Sequence, residues 1–579
     1  MVSIVWVLAL YRSVLQAPFV YDDVSQILKN PWLGSFQSVL HFFRSSVSFT
    51  DNFLQHGQKF YRPIFWMSLA LDRLLWGLDH PVGFHLTNLL LHSLDGALGY
   101  LFLRRLGIER LVSAGAVLMW LGLPINSEVV AWISGRSYSL MLCFVLLALL
   151  SGQRYVKGGH LGALVGLYFF SFLALLSNEE GVLVLPLGML LACGTYRISP
   201  KISAALLGTL TGACLPYFLL RHLAGADSAR TTFAMWPVGI AFFKYFDWMI
   251  FPFRMSVERS TDMPVNHPSA MACAGLVGIL GLAALVFRLR KDASDMATGM
   301  AWTVIGLVPF CGVILIYQGM AERYEYLASA GFCVSVCSAV FRVRHQARRV
   351  VLLSLVTSWT LWGIWRVHNR VLDWTDEARL YSASLRATPA SPGLLFNLGA
   401  VSERRGELAF AKMCYEKALT YKPDSEPAIA GLGNIYLRLN EPIQARSAYY
   451  RALRLKPNDI RAIVNLGIAT QEMNDWTSAE QQYKHAIDLA PDLEDAYCDL
   501  GALLFQEQRV VEAIRILSKA LQLNPNDPTA NYDLAAIYQF VGRRDIALEF
   551  YRRVLALRPS DPDARSKIIQ LESNIDGRR

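Results

Sequence analysis

The sequence has no CxxC pair, no HExxH, no P-loop, no GxSxG and no GxGxxG. Those absences count against a thiolate zinc site, a zincin protease and a soluble nucleotide-binding or serine-hydrolase domain. Coupled ion transport is left open by them. Nine cysteines are scattered, most of them inside apolar stretches, and read as small buried hydrophobes without a disulfide framework. No Asn-x-Ser/Thr sequon occurs. The opening MVSIVWVLAL carries no basic n-region and no small-residue cleavage site, so it resembles an uncleaved, short first span. Charge is also sparse, at 17% of residues.

What is abundant is apolar surface. Hydrophobic residues make up 54% of the chain, where soluble domains run at roughly 45–50%. The excess lies before about residue 366, and the remainder reads as ordinary soluble helix, which implies at least two domains. Eleven segments are candidate spans: about 1–16, 85–103, 111–125, 137–152, 161–176, 181–196, 203–220, 270–287, 298–317, 327–341 and 350–366. Segments 36–44 and 63–78 mix Phe, Trp and Leu with Arg, Asp and Gly and read as interfacial.

The formal charge of +9 could indicate nucleic-acid binding, but the basic residues gather at the ends of apolar segments. Arg104, Arg105 and Arg110, then Arg154 and Lys157, then Arg197 and Lys201, then Arg288, Arg290 and Lys291, and finally Arg342, Arg344, Arg348 and Arg349 occupy every second loop. The positive-inside rule makes those loops cytoplasmic and predicts no nucleic-acid partner. The alternate loops face outward. They hold Asp22 and Asp23, the 126–136 segment with Glu128 and Arg136, Ser177-Asn178-Glu179-Glu180, a long 223–269 loop and Ala321-Glu322-Arg323-Tyr324. An odd span count places everything after 366 on that same side.

The C-terminal third repeats every 34 residues: Pro423, Pro457, Pro491, Pro525 and Pro559, with Gly399, Gly433, Gly467 and Gly501 in one register and Ala411, Ala445, Ala479, Ala513 and Ala547 in another. This is the tetratricopeptide period. The expected organisation is all-α: a polytopic membrane domain over 1–366, a connecting helix or incomplete repeat over 367–391, five repeats over 392–561, and a capping helix and tail over 562–579. Residues 372–389 read as a second repeat helix running directly on from the last span. Repeats alone imply a protein-binding groove or a scaffold and no chemistry.

Ionisable residues at membrane depth are functional candidates because desolvating them is costly. A carboxylate at Asp22 or Asp23 can take a proton from an attacking hydroxyl, or cap a helix. Glu128 with Arg136 reads as a charge pair; Glu179 and Glu180 have almost no loop to solvate them; Arg323 has guanidinium geometry for a phosphate. His85 and His92 lie on one helix face with Asn88 and Asp95 near it, a spacing that suggests interhelical hydrogen bonds.

Phe19-Val20-Tyr21-Asp22-Asp23, Tyr61-Arg62-Pro63, Phe84-His85-Leu86-Thr87-Asn88 with Leu91-His92, Ser134-Gly135-Arg136, Ser177-Asn178-Glu179-Glu180-Gly181 and Ala321-Glu322-Arg323-Tyr324, followed by repeats, together resemble the transmembrane and tetratricopeptide-repeat O-mannosyltransferases. The resemblance covers nearly the whole chain. It implies a class C glycosyltransferase that takes a sugar from a polyprenyl-phosphate donor in the membrane and passes it to a hydroxyl, expected on a protein Ser or Thr, with inversion. It implies Asp22 as general base with Asp23 supporting or exchanging that role. Arg62, Arg136, Glu128, Glu179, Glu180, Glu322, Arg323, Tyr324 and His85 become candidates for holding donor phosphate or substrate. No metal ligands are assigned; acidic residues can bind a divalent ion through oxygen, but none is indicated. The repeats would recruit the protein or peptide acceptor. The expected location is a bacterial inner membrane, or the endoplasmic reticulum membrane in a eukaryote, with the repeats on the periplasmic or lumenal side. Family members commonly carry lysine where this chain has Asn178, which removes a positive charge there. A non-catalytic membrane scaffold is the alternative.

Overall fold

The computed structural model describes residues 2–34, 37–44, 47–48, 59–190, 199–226, 235–259, 267–311 and 320–576. Cys193 and Arg197, the ends of two candidate spans (191–196 and 312–317), and the last three residues of the predicted tail lie outside them. The chain divides into two compact units, Met1–Leu394 and Leu395–Arg579.

The first unit is helical: α1 (Val2–Tyr11), α2 (Gln37–Arg44), α3 (Pro63–Trp76), α4 (Pro81–Arg105), α5 (Arg110–Leu121), α6 (Ser127–Ala131), α7 (Arg136–Gly158), α8 (Leu161–Ser177), α9 (Val184–Leu190), α10 (Pro200–Leu223), α11 (Met235–Ile250), α12 (Ala270–Leu289), α13 (Ser294–Leu307), α14 (Tyr326–Arg342), α15 (Gln346–Asp373) and α16 (Glu377–Ala387). A two-residue ladder, Val47 opposite Phe60 and Ser48 opposite Lys59, is the one sheet among the described residues.

Helices fall in every predicted span. Length and apolarity taken alone are stricter. Among the described residues five helices meet both: Ile133–Gly158, Pro200–Leu223, Ala270–Leu289, Glu322–Arg342 and Gln346–Asp373. A sixth results if Arg110–Leu121 and Pro124–Ala131, bent by 53°, form one span. Helix α4 is 25 residues long but carries a polar stripe, much of which is bonded inside the bundle. His92 Nδ1 lies 2.7 Å from the Tyr326 hydroxyl, and Asp95 accepts from Tyr326 at 2.9 Å and Ser139 at 2.5 Å, linking α4, α7 and α14. Glycines let helices approach where lipid supplies no hydrophobic drive for association. A Cβ on Gly275 would stand 1.8 Å from the Gly239 carbonyl oxygen, and one on Gly331 2.5 Å from that of Gly299.

The 223–269 segment is not simply a loop. It contains α11, whose buried face includes Ile240, Phe242, Tyr245 and Met249. Gly239 packs on Ala272 and Gly275 near the start of α12, and the Ile250 carbonyl accepts from Trp359, midway along α15, at 2.8 Å. A sequence that alternates aromatic and polar residues every few positions hid this helix among loop residues.

The connection after the last span is short. Helix α15 ends at Asp373, and Asp376 caps α16 by accepting from the Arg379 amide at 2.9 Å. Helix α16 and the residues after it then join the 253–259 segment: Thr388 bonds Ser256 at 3.0 Å, the Val257 amide donates to Ser384 at 3.3 Å, and Ser391 donates to Glu258.

In the second unit five helix pairs follow the 34-residue period, from α17 (Pro392–Arg404) and α18 (Leu408–Tyr421), through α19 (Glu426–Arg438) and α20 (Pro442–Leu455), α21 (Ile460–Glu472) and α22 (Trp476–Leu489), α23 (Glu494–Gln506) and α24 (Val510–Leu523), to α25 (Pro528–Phe540) and α26 (Arg544–Leu557), capped by α27 (Pro562–Asp576). The repeat glycines make room for the ring or side chain of the second helix. A Cβ on Gly467 would lie 2.5 Å from Tyr483, and one on Gly501 2.5 Å from Leu517. Each hairpin turns through a left-handed residue in one register: Gly406, Asn440, Asn474, Gln508 and Gly542.

Candidate active site at the acidic end of the bundle

The segment leaving α1 turns sharply at Tyr21, whose φ of 58° is unusual for a bulky side chain. The two aspartates follow that turn directly. Asp23 is fully buried, and its Oδ1 accepts from the Ser134 amide at 3.0 Å and the Ser134 hydroxyl at 2.6 Å. Its Oδ2 is buried without a partner among the described residues. Burial pushes the Asp23 carboxyl up to about 7, against the opposing Ser134 bonds. Asp22 is only half-buried. The Tyr21 ring meets Trp132 edge-on at 5.8 Å.

Trp132 connects this corner to Arg323, whose guanidinium lies 5.5 Å from the Trp132 ring. Arg323 is held by Glu128 through its backbone amide at 3.1 Å and Nη1 at 2.7 Å. Its Nε and Nη2 have no partner among the described residues. Tyr324 stacks on Phe310 at 4.4 Å and faces Tyr138 at 6.3 Å.

Arg62, at the start of α3, donates to Glu179 at 2.7 Å and to Ser137 at 3.4 Å. The Glu179-Glu180 turn is built locally. Asn178 caps it, accepting from the Glu180 amide at 3.1 Å and donating to Ser137 at 3.2 Å. Gly181 is required because a Cβ there would stand 2.5 Å from the Ala174 backbone. Glu180 is buried, and that burial raises its carboxyl well above its ordinary value, opposed by Arg62. Arg62 supplies the positive charge that faces this acidic pair.

Four expected site residues are placed in other roles. Glu128 pairs with Arg323 and not with Arg136. Arg136 is wholly buried, paired with Asp72 at 2.6 Å, and donates to Asn88, the Ser68 carbonyl and the Phe84 carbonyl. With its donors occupied inside the bundle it is a packing and positioning residue, not a phosphate ligand. Glu322 turns to Arg259, at 2.6 Å, and the Ser256 amide, at 2.6 Å, so it anchors the 253–259 segment. His85 Nε2 sits 3.2 Å from the Ala17 carbonyl and supports the strand-like stretch leading to the aspartates.

Sequence reasoning passed over Ser134 as the partner of Asp23, and Trp132 and Tyr138 as walls, although two of them lay inside the 126–136 segment. It also missed Arg370, on α15, which is 3% exposed with Nε and Nη2 unpartnered among the described residues and acts electrostatically on Glu128. No local signal marks that residue. Among the described residues no group of three or more His, Cys, Asp and Glu is arranged to hold a metal ion.

Residues 372–574 match the family model of the cilia and flagella-associated protein 70 C-terminal domain. A solved structure, YrrB, a TPR protein with an unusual peptide-binding site, aligns at 21% identity and a TM-score of 0.27 over 33% of this chain and 97% of that one. A protein O-mannosyl-transferase of Caenorhabditis elegans is 23% identical over 71% of this chain and 60% of its own length. The human protein O-mannosyl-transferase TMTC4 is 24% identical over 66% of this chain and 60% of its own. The chain therefore spans about 60% of the length of these curated relatives. At this identity and coverage the chain is a homologue of proteins named protein O-mannosyl-transferases.

Proposed function

We propose that this chain is a membrane glycosyltransferase of class C that moves a sugar, mannose by the relatives' name, from a polyprenyl-phosphate carrier to a Ser or Thr hydroxyl of a protein. The reading rests on one arrangement. Arg323 keeps two nitrogens without partners while Glu128 fixes its position, and it shares Trp132 with the turn that presents Asp22.

In this reaction the acceptor oxygen attacks the anomeric carbon and the bond from that carbon to the phosphate oxygen breaks. The hydroxyl proton passes to Asp22, the half-buried and reachable carboxylate. Asp23, held by Ser134, positions that turn. The negative charge left on the carrier phosphate is met by Arg323, with Arg62 beside it, as preorganised cations whose solvation is already replaced by protein dipoles. A single displacement inverts the anomeric centre. The reaction runs on the periplasmic or lumenal face, and the repeats bind the acceptor and raise its local concentration.

The test reconstitutes the full chain in vesicles with a polyprenyl-phosphate mannose and a Ser/Thr-rich peptide, and follows peptide mass. Transfer should fall by about 10²–10⁴-fold in Asp22→Asn, with unfolding temperature and peptide binding retained. Undiminished transfer in that variant removes Asp22 from the chemistry. Peptide binding without transfer by the wild type favours the scaffold.

A further inference from the structure

The opposite end of the bundle holds a second site that this chemistry does not use. A cavity of about 800 Å³ opens between the ends of α7 and α8, beside the last turn of α4. Its lining includes Arg105, Arg154, Lys157 and His160 and no acidic residue. Gln153 also faces it. Gln153 is 2% exposed, yet neither its amide oxygen nor its amide nitrogen has a partner among the described residues. A buried carboxamide with both ends unsatisfied is costly unless something supplies the missing bonds.

The ligand must carry negative charge, offer both a donor and an acceptor, and reach the cavity from the side. The approach is defined by α8. Its first turn lines the cavity at Gly162 and Ala163. Along α8, Leu161, Val165 and Phe169 are 74%, 67% and 52% exposed. An apolar strip that begins at a cationic cavity suits acyl chains below a phosphate headgroup. The neighbouring cavity at this end differs: Glu109 and Asp295 line it, and Arg342 is already paired with Asp295.

We propose that this cavity binds the headgroup of an anionic phospholipid, with Arg154 and Lys157 on the phosphodiester and Gln153 on glycerol or ester oxygens. The distance from the candidate active site is set by α7. Arg136 and Arg154 are 18 residues apart on one helix, about 27 Å at the α-helical rise. A lipid there would fasten the ends of α4, α7 and α8 without touching the acidic end.

Native mass spectrometry of the full chain, released from nanodiscs of equal phosphatidylglycerol and phosphatidylcholine, tests this. Retained phosphatidylglycerol should exceed phosphatidylcholine by about tenfold or more. Arg154→Ala and Lys157→Ala should each cut retention by about fivefold. Gln153→Leu should cut it comparably, although it changes no charge. Neutralising Arg348 and Arg349, exposed on the first turn of α15, should leave retention unchanged. Equal retention of the two lipids overturns the proposal. So does an unaffected Gln153→Leu, or an equal loss on removing Arg348 and Arg349, since either means diffuse surface charge. Displacement by millimolar inorganic phosphate would make this a free-anion site and reject the lipid. If Gln153→Leu does not fold, Gln153→Glu keeps the volume, adds repulsion and should lose the lipid too.

Discussion

Arg323 and Glu128 meet at 2.7 Å across 195 residues of sequence, and the pair fixes a guanidinium beside Trp132 with two nitrogens still unengaged. Buried ion pairs contribute modestly to net stability, but removing one partner leaves an uncompensated charge. In this protein the pair does more by aiming a cation at the corner where Asp22 emerges.

Arg323 and Arg136 should therefore fail in different ways. Arg323→Lys should keep the fold and lower kcat/KM by about 10²–10³-fold, because a compact ammonium cannot hold Glu128 and a phosphate together. Arg136→Gln should instead destabilise the bundle by about 3–5 kcal/mol, by stranding Asp72. Detergent unfolding temperatures alongside transfer kinetics separate the two. Equal destabilisation by both would place Arg323 in the packing as well.

Stability should depend on Asp23 in a defined pH window. Its carboxyl moves from an ordinary 3.8 up to about 7 because it is buried. Between those values the folded protein keeps a proton that the unfolded chain has released. Its contribution is complete at acid pH, declines as pH rises through that window and is gone above about 7. Asp23→Asn should flatten the decline in unfolding temperature between pH 5 and pH 8. An unchanged slope would show that Asp23 titrates normally.

In the solenoid, Gly467→Val should lower the unfolding free energy of the repeats by about 1–3 kcal/mol. The cause is a Cβ placed 2.5 Å from the Tyr483 ring. Denaturant unfolding followed by circular dichroism measures it. A neutral outcome would mean that Tyr483 swings aside at no cost.

Gln508 occupies the left-handed position that Gly406 and Gly542 fill elsewhere, with φ at 63°. Gln508→Gly should stabilise the array by about 1 kcal/mol. Calorimetry of the full chain should show a higher repeat transition, and a lower one would count against backbone strain at this hairpin.

Much of this molecule is legible in one dimension. The 34-residue register, the small residues that admit Tyr415, Tyr449 and Tyr483, and the apolar stretches with basic flanks are all local patterns. Helix formation and burial of one face depend on neighbours three, four or 34 residues away, so the chain itself states them. Helix α11 escaped because its aromatic residues are broken by Lys244 and Asp247, and the turn at 374–376 escaped because nothing there interrupts helical composition.

Charge partners obeyed a different rule. Glu128 and Arg136 are near in sequence, yet Glu128 chose Arg323 and Arg136 chose Asp72; Glu322 chose Arg259. Sequence proximity predicts pairing where water screens charges and chains are free. In a packed interior each buried charge takes the partner that helix packing brings within reach, because an unpaired one is expensive. The residue types and the end of the bundle that carries them were written in the chain. Which guanidinium is left with unengaged donors, and which is locked into the core, was decided only by the tertiary packing.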